Sequence, residues 1–299
     1  MAPIQEDVPN WFQHMRGIAG SIVTGKSVWT DTILPWQQAH GQRGDWQAFE
    51  LADVMEQGMA RQVTTSFITP PLQDAPIQRC LVERSPDRCE FVLSSELGEP
   101  LLVARTTPES SRIEIYIPAG MAAVGPAFTM TATGKKRDRW TLTSDRCECC
   151  EYLPPARAGC SKACQRRELM HIRHTLEDFG RGTGMTMEVD VPELRPDGTP
   201  AVWCTRNSCS RSSVRLESRR PLWSPRLKSL TLDFFGRCSR ASPKNFQLQL
   251  PGSDQTCASQ EKVQFLFGKT DDNLFVLDYK QPLGMVQAFA VALSAKDWR

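Results

Sequence analysis

The sequence predicts a mainly β fold of the α+β kind: a closed antiparallel β-barrel around a buried C-terminal helix. Two observations carry this. The last third of the chain runs through short segments in which apolar and polar side chains alternate, each ended by a turn signal, as half-buried strands do. Behind them, Leu283 to Leu293 is apolar on every side, with Gln287 as its one polar side chain. A helix without a polar face has to be covered all round. Strands that close around it supply that cover and leave no exposed edge. On these two observations alone, an ordinary core helix in another α+β fold remains open.

Taken in order, Phe91-Val92-Leu93, Leu101-Leu102-Val103 and Ile113-Glu114-Ile115-Tyr116 set a strand rhythm between Ile77 and Thr131. Leu230-Thr231-Leu232-Asp233-Phe234 alternates, and Gly236 marks a turn. Asn245 to Leu250 alternates again until Pro251-Gly252-Ser253-Asp254 breaks it. Lys262 to Phe267 and Leu274 to Tyr279 form a hairpin joined through residues 268–273. Pro282, well suited to a first helical turn, opens a helix expected to run to about Lys296.

The 299 residues are 40% hydrophobic and 23% charged, enough for a sizeable core. A net charge of +2 argues for neither nucleic acid nor membrane unless the charges cluster. No apolar run approaches the roughly 20 residues of a transmembrane helix. Met1 to Arg16 lacks the pattern of a signal peptide, and neither end carries a lipidation motif. The odd count of 11 cysteines then points to reduced thiols and a cytoplasmic location.

Two longer motifs add a family. Phe234-Phe235-Gly236-Arg237-Cys238-Ser239-Arg240-Ala241-Ser242-Pro243-Lys244-Asn245-Phe246-Gln247 resembles one signature of the tubby C-terminal domain, with Cys238 and Pro243 in place of valines. Gln287-Ala288-Phe289-Ala290-Val291-Ala292-Leu293-Ser294 resembles the other, with Val291 in place of isoleucine. Leu216 to Trp223, Arg167-Glu168-Leu169 and Gly184 to Val189 extend the likeness backwards. The resemblance implies a barrel of about twelve strands threaded by its C-terminal helix, over residues 76–299. Residues 1–75 are expected to form a partly helical or flexible N-terminal extension, and a Cys-rich insertion is expected at about 144–166.

The resemblance also implies a basic pocket for phosphatidylinositol 4,5-bisphosphate, and here this chain departs from the family. A multiply anionic headgroup calls for several lysines and arginines, each worth about 1 kcal/mol at a lipid surface. After Leu101-Leu102-Val103, Arg105 and Arg112 are the basic residues that remain, with Glu109 between them. Another of the family's arginines aligns with Gly120. Lys135, Lys136 and Arg137 add a basic hairpin tip. These five are the candidate lipid-binding residues, and weak binding of an anionic phosphoinositide is the expectation.

Seven cations against Glu217 lie between Trp203 and Lys228, read as a solvated rim or a relocated anionic-membrane face. Only Trp203 and Trp223 are there to stack bases, so no nucleic acid is expected. Cys147, Cys149, Cys150, Cys160 and Cys164 with His171 and His174 offer zinc-ligand types, but not the paired spacing of known zinc folds. Strand alternation would also send His171 and His174 to opposite faces. A loop of free thiols without metal is expected. Gly20 to Ser27 fits a phosphate-loop pattern literally, but no buried strand precedes it. The segment Asp45 to Arg61 reads as an amphipathic helix with Ala48, Leu51, Ala52, Met55 and Met59 on one stripe. It packs on the barrel or docks a protein partner.

No catalytic arrangement and no cofactor site stands out. The expectation is a non-enzymatic membrane adaptor of the tubby type, linking phosphoinositide to protein cargo in ciliary or vesicular trafficking. It would be cytoplasmic and peripheral to the plasma membrane or ciliary base. The alternative is a tubby-fold scaffold that has lost specific lipid binding and works through protein partners.

Overall fold

The computed structural model describes residues 64–107, 110–118, 125–134, 136–144, 167–204, 212–253 and 259–298. The Walker-like segment, the Asp45–Arg61 stripe, the cysteines from Cys147 to Cys164, Glu109, Gly120 and Lys135 lie outside them.

Among the described residues there are fifteen strands, and thirteen form one sheet. They are β1 (Gln78–Arg84), β2 (Glu90–Ser95), β3 (Pro100–Thr106), β4 (Arg112–Tyr116), β5 (Phe128–Thr133), β6 (Arg139–Ser144), β7 (Arg167–Asp178) and β8 (Thr183–Pro192). Then come β9 (Trp203–Cys204), β10 (Ser213–Ser218), β11 (Leu222–Ser224), β12 (Ser229–Thr231), β13 (Phe246–Gln249), β14 (Phe265–Lys269) and β15 (Leu274–Tyr279). The sheet order is β6-β5-β4-β3-β2-β1-β15-β14-β13-β10-β8-β7, and β6 pairs again with β7 to close it. These twelve strands form the barrel, while β9 adds to the start of β7 and β11 with β12 makes a separate hairpin. All pairings are antiparallel, and because β6 pairs with β7 the barrel has no open edge among the described strands.

Alternation places one side chain in two inside. On β4, Ile113 and Ile115 are fully buried while Arg112 faces out. On β7, Met170, Ile172 and His174 point inward and His171 and Arg173 outward, so the two histidines do occupy opposite faces.

The central helix, Met285–Ser294, has all ten residues buried. It is shorter than the expected span from Pro282: Gly284 is its N-cap, and residues Ala295–Asp297 tighten into a 3₁₀ turn. The start is fixed by close approach, because a Cβ on Gly284 would lie 2.3 Å from the carbonyl oxygen of Ile68. Phe67 and Ile68, in the helical stretch 64–68, are themselves buried. Gln287 loses nothing by burial: its Oε1 accepts from the Gly284 N–H at 2.8 Å and its Nε2 donates to the Leu169 carbonyl at 2.8 Å. At the other end, the Lys244 ammonium donates to the carbonyls of Lys296 and Trp298, both at 2.6 Å, and of Ala295 at 3.3 Å. A cation there also suits the negative end of the helix dipole. Burial lowers Lys244 from its usual value to about 8.

Two strand expectations are corrected. Leu230 to Phe234 is not a barrel strand: only Ser229–Thr231 pairs, within the small hairpin, and residues 232–234 leave it. The strand expected from Lys262 begins at Phe265, because Gln260–Lys262 forms a 3₁₀ turn. Phe234 packs instead of pairing: Phe234 and Phe235 lie on Val263, Leu266 and Val276 on the outside of the barrel. β13 is buried on both faces, Gln247 and Gln249 included, and the Gln247 amide donates to the Asp233 carbonyl of the same crossing segment.

Candidate functional site

The first signature segment turns out to be a brace. Arg237 crosses to β15 and holds Asp278 with two bonds, Nε to Oδ2 at 2.8 Å and Nη2 to Oδ1 at 2.6 Å, while its Nη1 reaches Glu96 at 3.0 Å. Burial pushes the Asp278 carboxyl up, and the guanidinium pulls it back down. Asn245 accepts from the Lys269 N–H at 2.8 Å and donates to the Arg240 carbonyl at 2.7 Å. The Gln247 amide donates to the Asp233 carbonyl at 2.7 Å and accepts from Arg219 at 2.8 Å. These residues pin the crossing segment to the wall. They are spent on structure, not on a ligand.

Inside, Ser294 and His174 lie side by side without a catalytic setting. His174 Nδ1 accepts from the Trp298 indole at 3.3 Å, which leaves the Nε2 proton for Ser294 Oγ at 3.1 Å; Ser294 in turn donates to the Val291 carbonyl at 2.8 Å. Burial holds His174 down to about 4. Both residues are nearly sealed from solvent, so neither can meet a substrate.

The candidate lipid-facing residues share one end of the barrel. Arg105 near the end of β3 pairs in register with Glu114, and Arg112 at the start of β4 with Thr131 of β5. The β5–β6 turn follows two residues beyond Thr131, and it presents exposed Lys136 and Arg137. Arg137 takes the left-handed conformation there, φ 54°. The structure therefore brings four of the five together on one outer surface.

It also places carboxylates among them. Arg105 Nε donates to Glu90 Oε2 at 2.9 Å and its guanidinium lies 5.4 Å from the Tyr116 ring centre. Arg112 Nε donates to Glu114 Oε1 at 3.1 Å, and the Tyr116 hydroxyl to Glu114 Oε2 at 2.6 Å. Bonding to Glu114 raises the Tyr116 phenol. Two arginines thus face two glutamates on an exposed wall, where such pairs cancel charge at a distance while adding little stability. The sequence reading points to Glu109 and passes over Glu90 and Glu114: Glu90 reaches Arg105 only through the register of β2 on β3, whereas Glu114 lies two residues from Arg112 on the same strand and was open to reading by alternation.

A broader polar groove, with a volume of about 430 Å³, runs round the wall beside this patch. It is lined by Arg139, Arg173 and Arg215 and by Glu188 and Asp190, among others. Arg215 binds Asp190 in two bonds at 2.8 and 3.0 Å, and Arg173 binds Glu188 at 2.6 Å. Here too Arg173 and Arg215 are matched by acids. No cluster of three or more His, Cys, Asp or Glu suited to a metal is found among the described residues.

With the barrel, its central helix and the brace in place, the comparisons can be read. The model of the Tub family matches residues 125–298, more than half of the chain. The chain belongs to the Tub family. Curated relatives are the "Protein king tubby" of Drosophila sechellia, Drosophila yakuba and Drosophila melanogaster, each 34% identical over 111 residues. That match takes in 37% of this Tub-family chain and 22–23% of the relatives, so the chain spans less than a quarter of their length. An Arabidopsis thaliana protein solved by X-ray crystallography aligns with 79% of this chain and 96% of its own, at 12% identity. Its TM-score of 0.36 is too low to carry an argument. Among the described residues no helix is long and apolar enough to cross a membrane.

Proposed function

We propose that this Tub-family barrel is a non-enzymatic, cytoplasmic adaptor that touches anionic membrane weakly through one barrel end and carries protein partners on its N-terminal segment, in ciliary or vesicular traffic. One observation carries the membrane part. Arg105, Arg112, Lys136 and Arg137 are exposed at the same end of the barrel, and Lys135 stands next to them in sequence. Phosphatidylinositol 4,5-bisphosphate is the ligand class that the family membership suggests. The expected affinity is low, because Glu90 and Glu114 already occupy the two arginines. Losing several lipid-facing charges at about 1 kcal/mol each weakens binding by two or more orders of magnitude.

That same pairing favours a second reading, a scaffold that has given up lipid and acts through protein partners alone. Vesicle sedimentation with and without the bisphosphorylated lipid, at low and physiological salt, separates the two. Weak binding that fades as salt rises is the expected result. Tight, isomer-selective binding that survives salt would mean an intact pocket exists elsewhere. No binding at either salt would favour the scaffold.

A further inference from the structure

The hairpin of β11 and β12 stands outside the barrel and has no assigned role. It pairs Leu222 with Thr231, Trp223 with Leu230 and Ser224 with Ser229, around a turn of residues 225–228. One face is anchored. The Arg181 guanidinium lies 5.0 Å from the Trp223 ring centre, and the Leu230 side chain lies within contact of Gly182, where a Cβ would sit 3.5 Å from its Cδ1. Arg181 and Gly182 belong to the turn between β7 and β8, which projects from the same barrel end as the β5–β6 tip: the His174 N–H donates to the Asp138 carbonyl at 2.7 Å.

The other face and the turn are bare. Leu222 is 54% exposed and Leu227, at the apex, 59%. Arg226 and Lys228 flank Leu227, and both are exposed. Residues 219–232 hold four cations, Arg219, Arg220, Arg226 and Lys228, and no carboxylate. Arg219 is drawn inward to Gln247 and Arg220 reaches Glu177 at 3.4 Å. The apex cations have no such acid beside them in the chain. Isolated exposed leucines are ordinary on a soluble protein. An exposed leucine held on a braced turn between two cations is the chemistry of an interfacial anchor, whose apolar part enters the acyl boundary while its cations meet anionic headgroups.

We infer that this hairpin is a membrane wedge: Leu227 and Leu222 enter the interface of an anionic bilayer, and Arg226 and Lys228 bind its headgroups. The inference rests on the proposed membrane contact and adds to it an apolar, salt-resistant component that the Arg105–Arg112 wall lacks. The absence of acids around the apex favours anionic lipid over a protein groove, which would need an acidic rim to match.

The test is sedimentation of the full chain with phosphatidylserine-containing and with pure phosphatidylcholine vesicles, at low and physiological salt. Leu222→Ser with Leu227→Ser should lower binding to the anionic vesicles about tenfold at both salts, since burial of one leucine is worth at least that factor. Its melting temperature should not move, because both side chains are exposed. Arg226→Gln with Lys228→Gln should weaken binding at low salt and flatten its salt dependence. If the leucine variant binds as the wild type does, the wedge is wrong. If, in addition, Arg105→Gln with Arg112→Gln removes binding, the membrane reading survives without the wedge. If the wild type binds neither vesicle, the wedge falls, and the membrane reading falls with it when vesicles carrying the bisphosphorylated inositol lipid are not bound either. Equal binding to both vesicle types would also overturn the assignment of its cations.

Discussion

The inside and the outer rim of this barrel treat polar groups in opposite ways. Inside, each polar side chain that the helix brings into the core has an assigned partner: Gln287 bridges Gly284 and Leu169, Ser294 sits between Val291 and His174, and Lys244 gathers three carbonyls at the helix end. Outside, the wall proposed to meet lipid carries two arginines and sets a glutamate against each. A buried polar group without its partner costs about 1–3 kcal/mol, so interior positions change together or not at all. An exposed charge can be cancelled at almost no cost to the fold.

The comparison breaks most sharply at Ala290, which is fully buried on the helix. Ala290→Asp places an uncompensated charge in the barrel core and should cost several kcal/mol, out of a total stability of about 5–15. Loss of the cooperative unfolding transition is expected. A melting temperature like the wild type's would mean that the helix is not the core.

Acid should act next. His174 is lowered from 6.5 to about 4 by burial, so between those values the unfolded chain binds a proton that the folded chain does not. Stability therefore falls as pH drops through this window, by about 3 kcal/mol in all, and is unaffected by this group above it. Urea unfolding from pH 7 to 4 reads the effect, and His174→Gln should remove most of the slope. A slope that persists in the variant would place the acid sensitivity elsewhere.

Lys244→Met tests the helix end. The Lys296 and Trp298 carbonyls would lose the ammonium donor while the Ala295 carbonyl keeps the Trp298 N–H, and about 1–3 kcal/mol of stability should go with it, seen as a lower urea midpoint with an unchanged slope. No change in midpoint would mean that water serves these carbonyls equally well.

Much of the interior could be read from the residues. The strand Leu274–Tyr279 falls where alternation put it, and the helix with its single glutamine is buried throughout. The failures share a cause: contacts made across the outside of the barrel. Phe234 packs on the outer wall and pairs with no strand. Glu90 and Arg105 are 15 residues apart, and only the register of β2 on β3 sets them face to face. The Arg112–Glu114 pair differs: the two are separated by one residue on β4, so strand alternation alone sets them on one face.

Neutralisation of the two arginines is the central claim, and one measurement reaches it directly. Glu90→Gln with Glu114→Gln frees both arginines without touching the core, and vesicles carrying the bisphosphorylated inositol lipid report the result at low salt. The account predicts binding about tenfold tighter than the wild type, from two carboxylates removed at about 1 kcal/mol each with some screening. Binding unchanged or weaker than the wild type's would contradict it, and would show that Arg105 and Arg112 do not face the membrane.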